Sequence, residues 1–98
     1  LEPREGDPLR RIGLRRGQGS PAWAWVARNK RAMTLDLDHP DGQATFRALV
    51  RRADVLVENL TPPLRDRWTC GYDALHALNP RLVVVSVSCF GQTGPLAS

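Results

Sequence analysis

The 98 residues, 42% of them apolar, leave room for one domain and are too rich in core-forming side chains for a wholly disordered chain. The formal charge of +4 is uneven: Arg4, Arg10, Arg11, Arg15 and Arg16 crowd the first segment, where they suit nucleic acid, an acidic surface or a phosphate-bearing cofactor, or form a solvated loop. These 98 residues contain no apolar run of about 18 that could cross a membrane and no stretch with the pattern of a secretory signal, and Leu1 in place of Met leads us to expect sequence upstream.

Residues 1–21, rich in Gly, Pro and Arg, keep no period of 2 or 3.6 and read as a loop-rich segment. Pro21 suits a first helical turn, so a short helix is expected over 22–28, with Trp23 and Trp25 in a core or interface. Met33, Leu35 and Leu37 alternate with Thr34 and Asp36, the pattern of a strand. Pro40, with Asp38 and Asp41 beside it, marks a helix start. Phe46, Leu49, Val50 and Ala53 then form one apolar stripe, and Arg47, Arg51 and Arg52 suit the negative end of the helix dipole.

Val55, Leu56 and Val57 predict a second strand, closed by Glu58 and Asn59. Thr61, Pro62 and Pro63 predict a helix to about Trp68 with Thr61 as its cap, broken by Gly71. Tyr72, Leu75 and Leu78 predict a short amphipathic helix that stops at Asn79 and Pro80. The β-branched run from Leu82 to Val87 predicts a strand buried on both faces, and Phe90 to Pro95 a glycine-rich loop.

Strands alternating with helices imply βαβ units, hence an α/β fold with a parallel sheet and flanking helices. Ligands of such sheets bind beyond the carboxyl ends of the strands, which singles out Glu58 to Thr61 and Cys89 to Thr93. Cys70 and Cys89 lack CxxC spacing and a His pair, so free thiols in a reducing cytoplasm are expected rather than zinc or a disulfide. His39 and His76 are isolated and are read as surface or helix-end residues.

The order of several short motifs is more specific. Arg28 to Arg31, Thr34 to Leu37 and His39 to Gly42 resemble the run R-N-K-R-S-x-x-L-D-L-x-x-P-E-G of family III CoA-transferases. Ala53 to Leu60 is similar to their A-D-V-x-V-E-N-F; Gly71-Tyr72, Leu75, Asn79 to Val83 and Gly91 to Pro95 continue the likeness. Glu2-Pro3, Gly6-Asp7 and Arg10 resemble the preceding E-x-P-x-G-D-x-x-R loop.

This resemblance implies that residues 22–98 are part of a Rossmann-like CoA-binding domain, incomplete here, of a homodimeric enzyme. Such enzymes move CoA from an acyl-CoA to a carboxylic acid through an aspartyl intermediate. It also implies CoA contacts at Leu35, Asp36, Leu37, Asp38, Asn59, Leu60, Thr61 and Arg67. Asn59 at a strand end offers a donor and an acceptor, and Arg67 a forked donor for phosphate. Arg4 and Arg10 are weaker phosphate candidates.

Three positions depart from the pattern. Leu60 replaces an aromatic residue, Asp38 puts an acid near a phosphate, and Thr69 stands where glycine is normal and would be strained at positive φ. No acid matches the nucleophile, so no catalytic residue is assigned; the resemblance places the Asp beyond Ser98 and the first strand and helix before Leu1. Other readings are the α-methylacyl-CoA racemase branch, which shares the cleft, a non-catalytic binding or scaffold remnant, and a basic nucleic-acid-binding piece. On the CoA-transferase reading no metal, nucleic-acid partner or membrane partner is expected.

Overall fold

A computed structural model describes residues 1–13 and 19–95. Arg15 and Arg16 of the basic cluster lie outside the described residues. By its contacts the chain divides into two units, Leu1–Leu37 and Asp38–Ser98.

The first unit is organised around Glu2. Its carboxylate accepts two bonds from Arg10, Nε to Oε2 at 2.6 Å and Nη2 to Oε1 at 2.8 Å, and a third from the Asp7 N–H at 2.9 Å. The Asp7 side chain accepts the Leu9 N–H at 2.8 Å and so caps one turn of 3-10 helix, Pro8–Arg11. Gly6 has φ 78°, and a Cβ there would lie 2.9 Å from Arg10 Cδ. Glycine therefore meets both the backbone and the space requirement of this turn. Arg10 also lies over the Trp23 ring, 4.3 Å from its centroid. Ser20, the buried N-cap of α1 (Pro21–Val26), donates to the Ile12 carbonyl at 2.7 Å and accepts the Trp23 N–H at 3.3 Å.

The strand expected from Met33 to Leu37 is reduced to one parallel bridge between Thr34 and Glu2. Glu2 donates its N–H to Met33 O at 3.0 Å and accepts that of Leu35 at 2.9 Å. The partner segment then turns away, with the Gly6 N–H on Pro3 O at 2.9 Å, and the ladder ends after one residue.

In the second unit α2 spans Pro40–Val50, β1 Val55–Glu58, α3 Pro62–Arg67, α4 Tyr72–Leu78 and β2 Val83–Ser86. The strands are parallel, with Val55 opposite Val83 and Glu58 opposite Ser86. Mixed α/β structure with parallel pairing is thus present as expected. Phe46, Val50, Cys70, Leu75 and Leu82 form the buried core, and Leu49 of the predicted stripe lies at the surface. Asn79 couples two elements: its side-chain N–H groups donate to Val50 O at 3.0 Å and Ala53 O at 2.8 Å, pairing carbonyls at the end of α2.

Two expectations for this unit are corrected. β2 is not covered on both faces: Val83, Val85 and Val87 are exposed, as are Val55 and Val57 beside them. Nothing among the described residues covers that side. Thr61 does hold the N-cap position of α3, but its side chain makes no capping hydrogen bond. At the other end, the Cys70 N–H reaches Arg65 O at 2.8 Å and the Thr69 N–H reaches Asp66 O at 3.1 Å. This paired closure uses a left-handed residue, and Thr69 adopts φ 54° there, the strained conformation expected where the family pattern has glycine.

Candidate functional site

Because β1 and β2 are parallel, their carboxyl ends share one edge of the sheet. The chain leaves β1 through Asn59, Leu60 and Thr61 into α3, and leaves β2 into the loop through Pro95. Arg65 of α3 donates to the side-chain oxygen of Gln92, tying that helix to the glycine-rich loop. Gly91 and Gly94 bend the loop at φ 85° and 103°, and Cys89 and Phe90 are exposed on it.

Glu58 shapes the exit from β1. Its Oε2 accepts the Leu60 N–H at 2.6 Å, folding the chain back toward α3. Its Oε1 is buried and without a hydrogen-bond partner among the described residues, so this edge retains one acceptor that favours a donor. Burial, and to a smaller degree the Glu58 charge, pushes the Cys70 thiol pKa up. Cys70 is therefore a protonated core thiol rather than a nucleophile. Both cysteines are free.

The predicted ligand residues divide between the units. Leu35, Asp36 and Leu37 are half-buried in the first, where the Leu35 N–H is held by Glu2. Asp38, Asn59, Leu60, Thr61 and Arg67 belong to the second. Asn59 and Thr61 are exposed and Leu60 is half-buried. Arg67 ends α3, where the helix dipole favours a cation, and its Nε lies 2.9 Å from Asp38 Oδ1. The Trp68 indole N–H donates to the same oxygen at 2.7 Å.

The structure thus brings Asp38 together with Arg67 and with Trp68, a residue that the sequence marks only as a helix boundary. No local signal could have revealed this, since 29 or more positions separate the partners. Arg10 is held by Glu2 and Trp23, and Arg11 donates to Glu5 O at 3.0 Å. His39 sits at the N-cap of α2, accepting the Asp41 N–H at 3.2 Å. His76 of α4 stacks on Tyr72 at 4.2 Å, with its Nε2 3.0 Å from Leu82 O. Both lie at helix ends, as expected. Among the described residues no group of three or more His, Cys, Asp or Glu could hold a metal ion. No helix among them is long and apolar enough to cross a membrane.

The model of CoA-transferase family III matches residues 1–98. The sequence is 46% identical over 95% of its length to the succinyl-CoA–D-citramalate CoA-transferase of Chloroflexus aurantiacus, covering 23% of that protein. Against the acetyl-CoA:oxalate CoA-transferase of Acetobacter aceti, identity is 43% over 97% of this chain and 24% of the relative. A crystal structure of a CaiB/BaiF family protein from Brucella suis superposes with a TM-score of 0.89 at 34% identity, over 98% of this chain and 27% of that one. The chain spans about a quarter of the length of these relatives.

Proposed function

Since this chain belongs to CoA-transferase family III, we propose that the protein moves CoA from an acyl-CoA donor to a carboxylic acid, and that residues 22–98 supply part of its CoA cleft. The supporting observation is the match of residues 1–98 to the family, a span that includes the strand-end loop and α3. In this reading an aspartate outside these 98 residues attacks the thioester carbonyl and expels CoA thiolate, leaving a mixed anhydride. The thiolate then attacks the aspartyl carbonyl of the anhydride, releasing the donor's carboxylate and leaving CoA on the enzyme as a thioester. The acceptor acid runs the same two steps in reverse and leaves as its acyl-CoA. Dividing the exchange in this way replaces one difficult displacement with easier ones.

The stretch described here has the task of binding. CoA carries phosphates at one end and an amide-rich arm at the other. Arg67 suits the phosphates, and the side-chain amide of Asn59 and the backbone of Leu60 and Thr61 suit polar groups at the strand end. Leu35, Asp36 and Leu37 contribute apolar surface and backbone contacts, and Asp38 contributes its backbone. The intact protein is a cytoplasmic homodimer in this proposal, with acyl-CoA and a carboxylic acid as its small-molecule partners and no metal.

The test is exchange by the intact purified protein. Succinyl-CoA and acetyl-CoA are offered with malate, citramalate, oxalate and glutarate, and acyl-CoA products are followed by mass spectrometry. The expected result is a new acyl-CoA that forms only with protein, donor and acceptor together. Absence of exchange for every donor and acceptor would remove the transferase reading.

A further inference from the structure

Asp38 is the departure from the family pattern that the cleft reading accommodates least well, because an acid beside a phosphate site repels the ligand. Its contacts suggest another task. One carboxylate oxygen, Oδ1, accepts the Trp68 indole N–H at 2.7 Å and forms an ion pair with Arg67, whose Nε lies 2.9 Å away. Trp68 is half-buried at the C-cap of α3, so its indole is a fixed donor that holds Asp38 in place. The Arg67 side chain is 63% exposed and that of Asp38 48%, and an ion pair this open to water adds little to stability. Its effect lies in orientation. A guanidinium paired on its Nε side has fewer orientations open to it and leaves Nη1 and Nη2, the edge that receives two oxygens of one phosphate. An acid placed here only to favour the start of α2 would act on the helix dipole; it would not need the indole contact or an arginine on another helix.

We propose that Asp38 is a positioning residue: anchored by Trp68, it grips Arg67 at Nε and turns the terminal edge of its guanidinium outward for a phosphate of CoA. This inference rests on the cleft reading above. It also accounts for the acid: the repulsion it exerts on the ligand is offset by ordering Arg67 before the ligand arrives, which removes part of the entropy cost of binding.

The test is isothermal titration of the intact protein with CoA, dephospho-CoA and pantetheine. Asp38→Ala is expected to weaken CoA about fivefold, the cost of one unordered long side chain. Asp38→Asn keeps an oxygen for the indole N–H and for the Arg67 guanidinium without the charge, and is expected to recover most of that loss. The Asp38→Ala penalty should vanish with pantetheine, which has no phosphate. If it already vanishes with dephospho-CoA, Arg67 faces the 3′-phosphate; if it survives there, Arg67 faces the diphosphate. A penalty that persists with pantetheine, or equal losses for the Ala and Asn variants, overturns the proposal. Arg67→Ala separates the two levels. If it leaves CoA affinity unchanged, Arg67 has no place in the cleft. If it weakens CoA while Asp38→Ala does not, the cleft stands and only the positioning role is lost.

Discussion

In the first unit, Leu1–Leu37, the one buried residue among those described is Ser20, and the contacts that close the unit are polar. Glu2 alone gathers Arg10, the Asp7 N–H and the bridge to Thr34. In the second unit five apolar side chains are buried together, and Asn79 stitches the end of α2 to the end of α4. A polar lattice is directional and depends on the charge state of its members, whereas an apolar core depends on volume and is indifferent to pH. The two halves of one small chain should therefore fail under different stresses.

The largest effect expected belongs to the core. Leu75 is 0% exposed, so Leu75→Ala removes buried methyl groups and leaves a void, at a cost of about 2–5 kcal/mol. Denaturant unfolding of the intact protein measures the loss. Hydrogen exchange should localise it to residues after Leu37, and equal loss of protection in the first unit would break the distinction.

A smaller change of opposite sign is expected at Thr69. With φ 54°, Thr69→Gly relieves left-handed strain of about 1–2 kcal/mol and adds chain entropy that offsets about 0.5–1 kcal/mol of it. The net result is a modest rise in thermal midpoint, and a fall would show that the Thr69 side chain has a compensating contact.

The smallest effect on global stability is a pH dependence confined to the first unit. The Arg10 side-chain bonds, aided by the Asp7 N–H, lower the Glu2 pKa from 4.5 to about 2. The Glu2 side chain is 9% exposed. A depressed folded-state pKa means that the contribution of Glu2 is complete above about 4.5 and is lost as pH falls through about 2. Carboxyl chemical shifts should titrate in that window, with loss of protection at the Asp7 amide. In Glu2→Gln the transition should be absent. A Glu2 midpoint near 4.5 would show that the lattice does not hold in solution.

The helices and strands of the second unit were largely legible in the sequence, because each carries its own local mark. Pro40 and Pro62 start helices, the spacing of Phe46 and Val50 sets a buried stripe, and the apolar runs at 55–57 and 83–85 set strands. Less was legible where a second segment decides the outcome. The alternation at Met33 to Leu37 is that of a strand, yet its partner turns away after Glu2 and one bridge remains. Thr61 has the chemistry of a cap but does not use it. The binding residues were named from resemblance. The pairing of Asp38 with Arg67 and Trp68 was out of reach, because it depends on how α2 and α3 are set in space.

The row of valines on the open side of the strand pair has a consequence of its own. Val55, Val57, Val83 and Val85 stand exposed on two strands that, among the described residues, have only each other as neighbours, and Val87 is exposed just past the end of β2. Attraction between such surfaces weakens on cooling and strengthens on warming, and each free strand edge offers a template for another chain. While this stretch stands uncovered, warmth makes it adhesive and cold makes it sociable only with water. Whatever lies across those five side chains in the intact protein is therefore held to them more firmly when warm than when cold.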